Sequence, residues 1–322
     1  MDVKKNEDVE TIALGPAGPE VQPLCIGTWQ WGDKIFWNYG KNYDQQQVHE
    51  AFKAAIESGL TFFDTAEVYG TGDSETLIGQ FMKEVPAPIA IATKYGPAPW
   101  RFTGQSVADA LTGSLRRLQV DHVALYQVHW PFSFLMSQQT LLKALAKEVK
   151  QGRIGAVGVS NYSVEQMRQA HKILAAEGVP LATNQVRYSL LTRQIERQGL
   201  LDAARKLSIK IMAYSSLAQG LLGGKYTPDN LPTDARRFDQ RFSRSGLAKI
   251  APVIHLLQQI GQVHDRTPAQ VALNWLITQG DVIAIAGAKS PEQARQNAGA
   301  LGWSLSTEEV DRLEEVSRPW LN

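Results

Sequence analysis

Four side chains in the first half of the sequence could together deliver a proton to an oxygen atom: Asp64, Tyr69, Lys94 and His129. Asp64, Lys94 and His129 each close a short apolar run. A polar residue ending such a run needs a partner, because an unpaired buried charge costs several kcal/mol. Three such residues on neighbouring strands can partner each other around one pocket. Tyr69 follows Asp64 in the loop Asp64-Thr65-Ala66-Glu67-Val68-Tyr69-Gly70, which can fold back over that pocket. A lysine ammonium stabilises a nearby phenolate, so the Tyr69 pKa is expected to fall from about 10 toward neutral. That would make Tyr69 a general acid. Asp64 would balance and position Lys94, and His129 would donate a hydrogen bond to a substrate oxygen. A carbonyl that accepts hydride becomes an alkoxide, and these groups supply its proton and its electrostatic support.

The same placement recurs further along. Ser160-Asn161, Asn184-Gln185 and Tyr214-Ser215 also close apolar runs. Runs rich in Val, Ile and Ala alternate with amphipathic stretches of helical length, the pattern of βα units in a parallel sheet. Strands are expected over 24–27, 61–64, 89–94, 123–129, 154–160, 182–186, 210–214 and 282–286. Helices are expected over 46–58, 74–85, 106–118, 138–151, 164–176, 195–207, 267–277 and 291–301. Ser74 and the Thr267-Pro268 pair are read as helix starts.

Eight strands, each followed by a helix, give a (β/α)8 TIM barrel, an α/β fold with its reactive face where the strands end. Residues 10–23 suggest an N-terminal β-hairpin plugging the barrel bottom, and 307–316 an extra C-terminal helix. Residues 218–245 read as a long loop. Its arginines Arg236, Arg237, Arg241 and Arg244 could close over cofactor phosphates or simply face solvent. The rival fold, an open doubly wound sheet, carries an early glycine fingerprint. The segment Gly27-Thr28-Trp29-Gln30-Trp31-Gly32 lacks it. No linker or charge run divides the chain, so one domain is expected over 1–322, with residues 1–10 a disordered tail.

Composition narrows the partners. The 33 basic and 32 acidic residues leave a formal charge of +1, which argues against a nucleic-acid or anionic-membrane binder. No apolar run approaches the ~20 residues of a membrane span, and the polar N-terminus lacks a signal-peptide core. A cytoplasmic protein is expected, more readily a monomer than an oligomer. Cys25 is the single cysteine; it excludes an intramolecular disulfide and reads as an inert core residue. No metal site is called for.

The blocks Asp64 to Gly70, Ala92-Thr93-Lys94, Leu125 to Pro131 and Gly155 to Tyr162 resemble the aldo-keto reductases, barrel enzymes that reduce carbonyls with NADPH. So do Asn184-Gln185-Val186, Tyr214 to Leu217 and Gly287 to Ser290. The blocks follow the family's order across nearly the whole chain. The resemblance implies a catalytic tetrad of Asp64, Tyr69, Lys94 and His129 and an NADP(H) cofactor across the barrel mouth. Ser160, Asn161 and Gln185 would hold the carboxamide, and Tyr214, followed by Ser215, would stack on the nicotinamide. Leu217, Gly220, Leu222 and Lys225 would run along the pyrophosphate. Gly287, Lys289, Ser290, Gln293, Gln296 and Asn297 would surround the adenosine phosphate, with Lys289 favouring NADPH over NADH. Two positions depart from the family pattern: Gln296 stands where glutamate is common, and Ala286 where proline is common.

Five of the eight tryptophans, Trp29, Trp31, Trp37, Trp100 and Trp130, fall in loops expected at the mouth. Trp31, Trp37, Trp100, Trp130 and Phe132 are read as a flat apolar wall for an aromatic or planar carbonyl substrate. The stretches 27–39 and 99–102 look like the pyridoxal-reducing branch and cyanobacterial or plastid-type members. Two other readings compete with a small-molecule carbonyl reductase: a cofactor-binding regulatory subunit, and a Schiff-base lyase using Lys94.

Overall fold

Strands β1 (Ile12–Ala13) and β2 (Glu20–Val21) form an antiparallel hairpin, with Ile12 opposite Val21. The computed structural model describes residues 11–321 apart from 17, 133–134 and 233–234; the expected N-terminal tail over 1–10 lies outside them. Eight parallel strands follow: β3 (Leu24–Gly27), β4 (Phe62–Asp64), β5 (Ala90–Tyr95), β6 (Val123–Val128), β7 (Ile154–Ser160), β8 (Leu181–Arg187), β9 (Lys210–Tyr214) and β10 (Val282–Gly287). They close in chain order, with β10 pairing β3. This is the expected (β/α)8 barrel with its hairpin.

Strand periodicity builds the site. Side chains two apart share a face. Phe62, Ala92 and Leu125 belong to an apolar cluster with Cys25, Met212 and Ile283 inside the barrel. Two residues on from the first three stand Asp64, Lys94 and Gln127, all buried. A polar layer therefore rests on an apolar floor. Ile12, Leu14 and Val21 of the hairpin segment join that floor, which closes the bottom of the barrel. The register pairs Asp64 with Ala92 of the floor, one step below Lys94, while Lys94 pairs with Gln127 and Ser160 with Gln185.

Three helix expectations are corrected. Ser74 is not a cap. The helix Asp73–Met82 starts after Gly72, whose φ of 101° suits glycine. The buried Ser74 hydroxyl instead donates to the Thr28 carbonyl and accepts from Thr65. The helix expected over 195–207 is split into Gln194–Arg197 and Leu200–Lys206 by Gly199, with φ 72°. An unexpected helix follows the long loop. The loop's end carries 3-10 turns at Ala235–Phe238 and Gln240–Phe242, and a 21-residue helix, Arg244–His264, begins at Arg244. Ser243 caps that helix, and Pro252 sits inside it. The expected Thr267 cap and the C-terminal helix Thr307–Val316 are present. Among the described residues, no helix is long and apolar enough to cross a membrane.

Candidate active site

Lys94 is completely buried at the end of β5. Its ammonium donates to Asp64 Oδ2 at 2.5 Å, to the Thr65 carbonyl at 2.7 Å and to the Tyr69 hydroxyl at 3.4 Å. The other Asp64 oxygen accepts from Gln185 Nε2 at 2.8 Å and Gln127 Nε2 at 3.2 Å. Every donor of this buried pair's core is thus used, the condition under which a buried ion pair is tolerated. Tyr69 opens a short turn, Tyr69–Gly72, in which Gly70, Thr71 and Gly72 all have positive φ. Non-glycine residues rarely adopt that geometry, and where they do the surrounding structure imposes it. Here Glu67 anchors the loop. Its carboxylate accepts from the Gly96 amide at 2.6 Å and pairs with Arg101.

His129 follows β6, and its amide donates to the Tyr95 carbonyl at 3.0 Å. Its ring stacks flat on Trp130 at 4.0 Å and meets the Tyr69 ring edge-on at 5.7 Å. Burial, reinforced by the Lys94 charge, pulls its pKa from 6.5 down to about 2. The imidazole is therefore neutral at ordinary pH and can donate a hydrogen bond without carrying charge.

The expectation for Tyr69 is corrected. Its phenol is held above 10, not lowered toward neutral. Burial raises it, Lys94 opposes this, and the Asp64 carboxylate adds to the rise. Burial also works against the Lys94 charge, but Asp64 and Tyr69 outweigh it and keep the ammonium above its usual value. Tyr69 is accordingly a protonated phenol beside a permanent cation.

These groups open into a cavity of about 640 Å³ at the barrel mouth. Asp64, Tyr69, His129, Ser160, Asn161, Gln185, Tyr214, Ser215, Leu217, Gly220, Lys225, Gly287, Lys289, Gln293, Gln296 and Asn297 line it, with Lys94 beneath. So do Trp37 and Trp130. Leu222 does not, being fully buried in the outer core. Nor does Ser290, whose hydroxyl caps the helix Pro291–Ala298. Trp31 is overturned as substrate wall: it is completely buried against Phe52, Phe63 and Phe81, with Nε1 donating to the Ala288 carbonyl at 2.8 Å. Trp100 is 72% exposed on a separate groove beside Arg101 and Arg117. Phe132 lies outside the cavity lining but stacks on Trp130 at 6.1 Å. Of the four loop arginines, Arg236 alone lines the cavity.

Sequence reasoning missed several lining residues. Trp29, expected at the mouth but not assigned to the site, stacks on the Tyr69 ring at 6.2 Å, and Gln30, Val68 and Gln219 also face the cavity. Their only signal was position in the loops after β3, β4 and β9.

The cavity suits a large polar ligand. Three buried atoms of lining residues have no hydrogen-bond partner among the described residues: Gln30 Oε1, Trp37 Nε1 and His129 Nδ1. A side chain at Gly27 would come within 2.8 Å of Ile285, and one at Gly287 would collide with Gln30. Asn161, Ser215, Ala218 and Gln219 have φ between 48° and 61°, a strained set of the kind that gathers at ligand sites.

A profile of the aldo/keto reductase family matches residues 23–318. The chain belongs to that family. It is 36% identical to the chloroplastic pyridoxal reductase of Arabidopsis thaliana over 321 residues, covering 96% of this chain and 86% of the relative. A glycerol dehydrogenase from Gluconobacter oxydans superposes with a TM-score of 0.85 at 29% identity, covering 98% and 97% of the two chains. An aldo/keto reductase from Klebsiella pneumoniae, solved with NADP and acetate, gives 0.72 at 32% identity, covering 92% of each. Membership makes this chain an NADP-dependent oxidoreductase, of a family that reduces small-molecule carbonyls.

Proposed function

We propose that the chain reduces an aldehyde or ketone to an alcohol, with Tyr69 as the proton donor. The observation that carries this is the buried Lys94 ammonium, held between the Asp64 carboxylate and the Tyr69 hydroxyl. NADPH, when bound, supplies the hydride to the carbonyl carbon. The residues suited to hold it are Ser160, Asn161 and Gln185 at the carboxamide and Tyr214 beside the nicotinamide. Ser215, Leu217, Gly220 and Lys225 suit the pyrophosphate, and Gly287, Lys289, Gln293, Gln296 and Asn297 the adenosine. Tyr214 is fixed by its hydroxyl, which donates to Asn161 Oδ1 at 3.0 Å. The Lys289 charge and the N-terminus of Pro291–Ala298 favour an anion there.

As negative charge grows on the substrate oxygen, Tyr69 O–H is the proton it can take. Lys94 stabilises the phenolate left behind, and Asp64 keeps Lys94 charged. Neutral His129 donates a hydrogen bond to the same oxygen, which lowers the barrier without a net-charge change. The same Asp64–Lys94 pairing works against a Schiff-base role, which needs an uncharged amine.

The aromatic surfaces of Trp29, Trp37 and Trp130 at the cavity favour a flat carbonyl substrate. Pyridoxal is the specific candidate, supported by the name of the Arabidopsis relative. The test is NADPH consumption with a panel of aldehydes that includes pyridoxal. Turnover highest on planar aromatic aldehydes supports the reading. Tight NADPH binding with no turnover on any of them would favour the regulatory-subunit alternative.

A further inference from the structure

The segment after β3 reaches Lys289 as well as the Tyr69 ring. Lys289 Nζ stands 4.8 Å from the Tyr43 ring centroid and 5.5 Å from that of Trp37. Both rings are fixed independently of Lys289. The Tyr43 hydroxyl donates to the Gln30 carbonyl at 2.6 Å, and Tyr43 is buried. Trp37 is braced edge-on by Trp29 at 5.5 Å and by Phe36 at 5.2 Å. Asp33 builds the turn that presents them. Its Oδ1 accepts from the amides of Ile35, Phe36 and Trp37, and its Oδ2 accepts from Trp29 Nε1. Lys289 is tied at its base, its amide donating to Gln293 Oε1 at 2.8 Å. Trp37, Lys289 and Gln293 line one cavity, and the buried Trp37 indole N–H has no hydrogen-bond partner among the described residues.

A lysine head group on a flexible stem loses rotamer freedom when it binds an anion. An aromatic face that already holds the ammonium removes part of that cost before the anion arrives. We propose that Trp37 and Tyr43 position the Lys289 ammonium between their rings and so set the preference for a phosphorylated over an unphosphorylated adenosine. Trp37 is then a positioning residue for cofactor choice, in addition to lining the site. The inference rests on the reading that Lys289 faces the adenosine phosphate.

The experiment is calorimetric titration of NADPH and NADH against the full chain and four variants: Trp37→Leu, Trp37→Phe, Tyr43→Leu and Lys289→Met. NADH serves as the internal control for folding and for the rest of the cofactor site. Loss of a ring face is expected to weaken NADPH about three- to tenfold while NADH changes little. Trp37→Phe is expected to recover most of that loss. Lys289→Met should lower the NADPH-to-NADH affinity ratio at least as far. If Trp37→Leu and Tyr43→Leu keep the wild-type ratio, or weaken both cofactors equally, while Lys289→Met lowers it, the positioning role is overturned and the phosphate reading stands. If Lys289→Met leaves the ratio unchanged, the phosphate reading fails and the proposal with it.

Discussion

One part of the destabilisation expected on acidification can be assigned to a single side chain, His129. In the unfolded chain its imidazole takes a proton near pH 6.5; in the folded chain burial and Lys94 hold that event down at about pH 2. The charged form is what folding disfavours. The stability His129 contributes is therefore fully present above 6.5 and is lost as pH falls from there toward 2. At pH 5 the unfolded state is 1.5 pH units below its own midpoint, and the linkage relation gives a loss of about 2 kcal/mol relative to neutral pH. The assay is urea unfolding of wild type and His129→Gln at pH 7.5 and pH 5.0. Other titrating groups cancel in the double difference. The wild type should lose about 2 kcal/mol more than the variant over that interval. Equal losses in the two proteins would refute the neutral buried imidazole. The same argument requires that kcat/KM for carbonyl reduction show no inflection near 6.5 from His129.

Two further outcomes follow from the packing and the buried charges. Trp31→Ala should cost about 3–5 kcal/mol in urea unfolding while the carbonyl KM of the folded fraction stays at the wild-type value; a raised KM with normal stability would return Trp31 to the substrate wall. Asp64→Asn removes the charge that opposes desolvation of Lys94. It should cost about 3–5 kcal/mol of stability and, with Lys94 now losing its proton at lower pH, make kcat/KM fall as pH rises toward 9, a limb the wild type should lack.

The sequence made the polar layer of the barrel legible because strand ends announce it. Asp64, Lys94 and the run up to His129 each terminate an apolar stretch, and a period of two places the first two inward above Phe62 and Ala92. Other features left no such trace. Trp29 and Trp31 are two residues apart and indistinguishable by type, yet Trp29 faces Tyr69 and Trp31 turns into the core. The turn between them and the next helix depends on Gly32, at φ 87°, where an added Cβ would lie 2.6 Å from that of Asp73. That close approach is a tertiary contact. The helix Arg244–His264 went unassigned, and it holds Pro252, a residue that disfavours a helix interior. The direction of the Tyr69 shift depended on a contest between burial and a neighbouring charge. The neighbour is visible in the sequence; the depth of burial is not.

The central claim is that Tyr69 gives up the proton, and Tyr69→Phe tests it directly. The variant keeps the ring against Trp29 and His129 and removes only the hydroxyl. Its kcat/KM for aldehyde reduction with NADPH should fall by about 10²–10⁴-fold, with the calorimetric affinity for NADPH unchanged. Reduction at a rate within a few-fold of wild type, with NADPH bound equally well, would contradict the account.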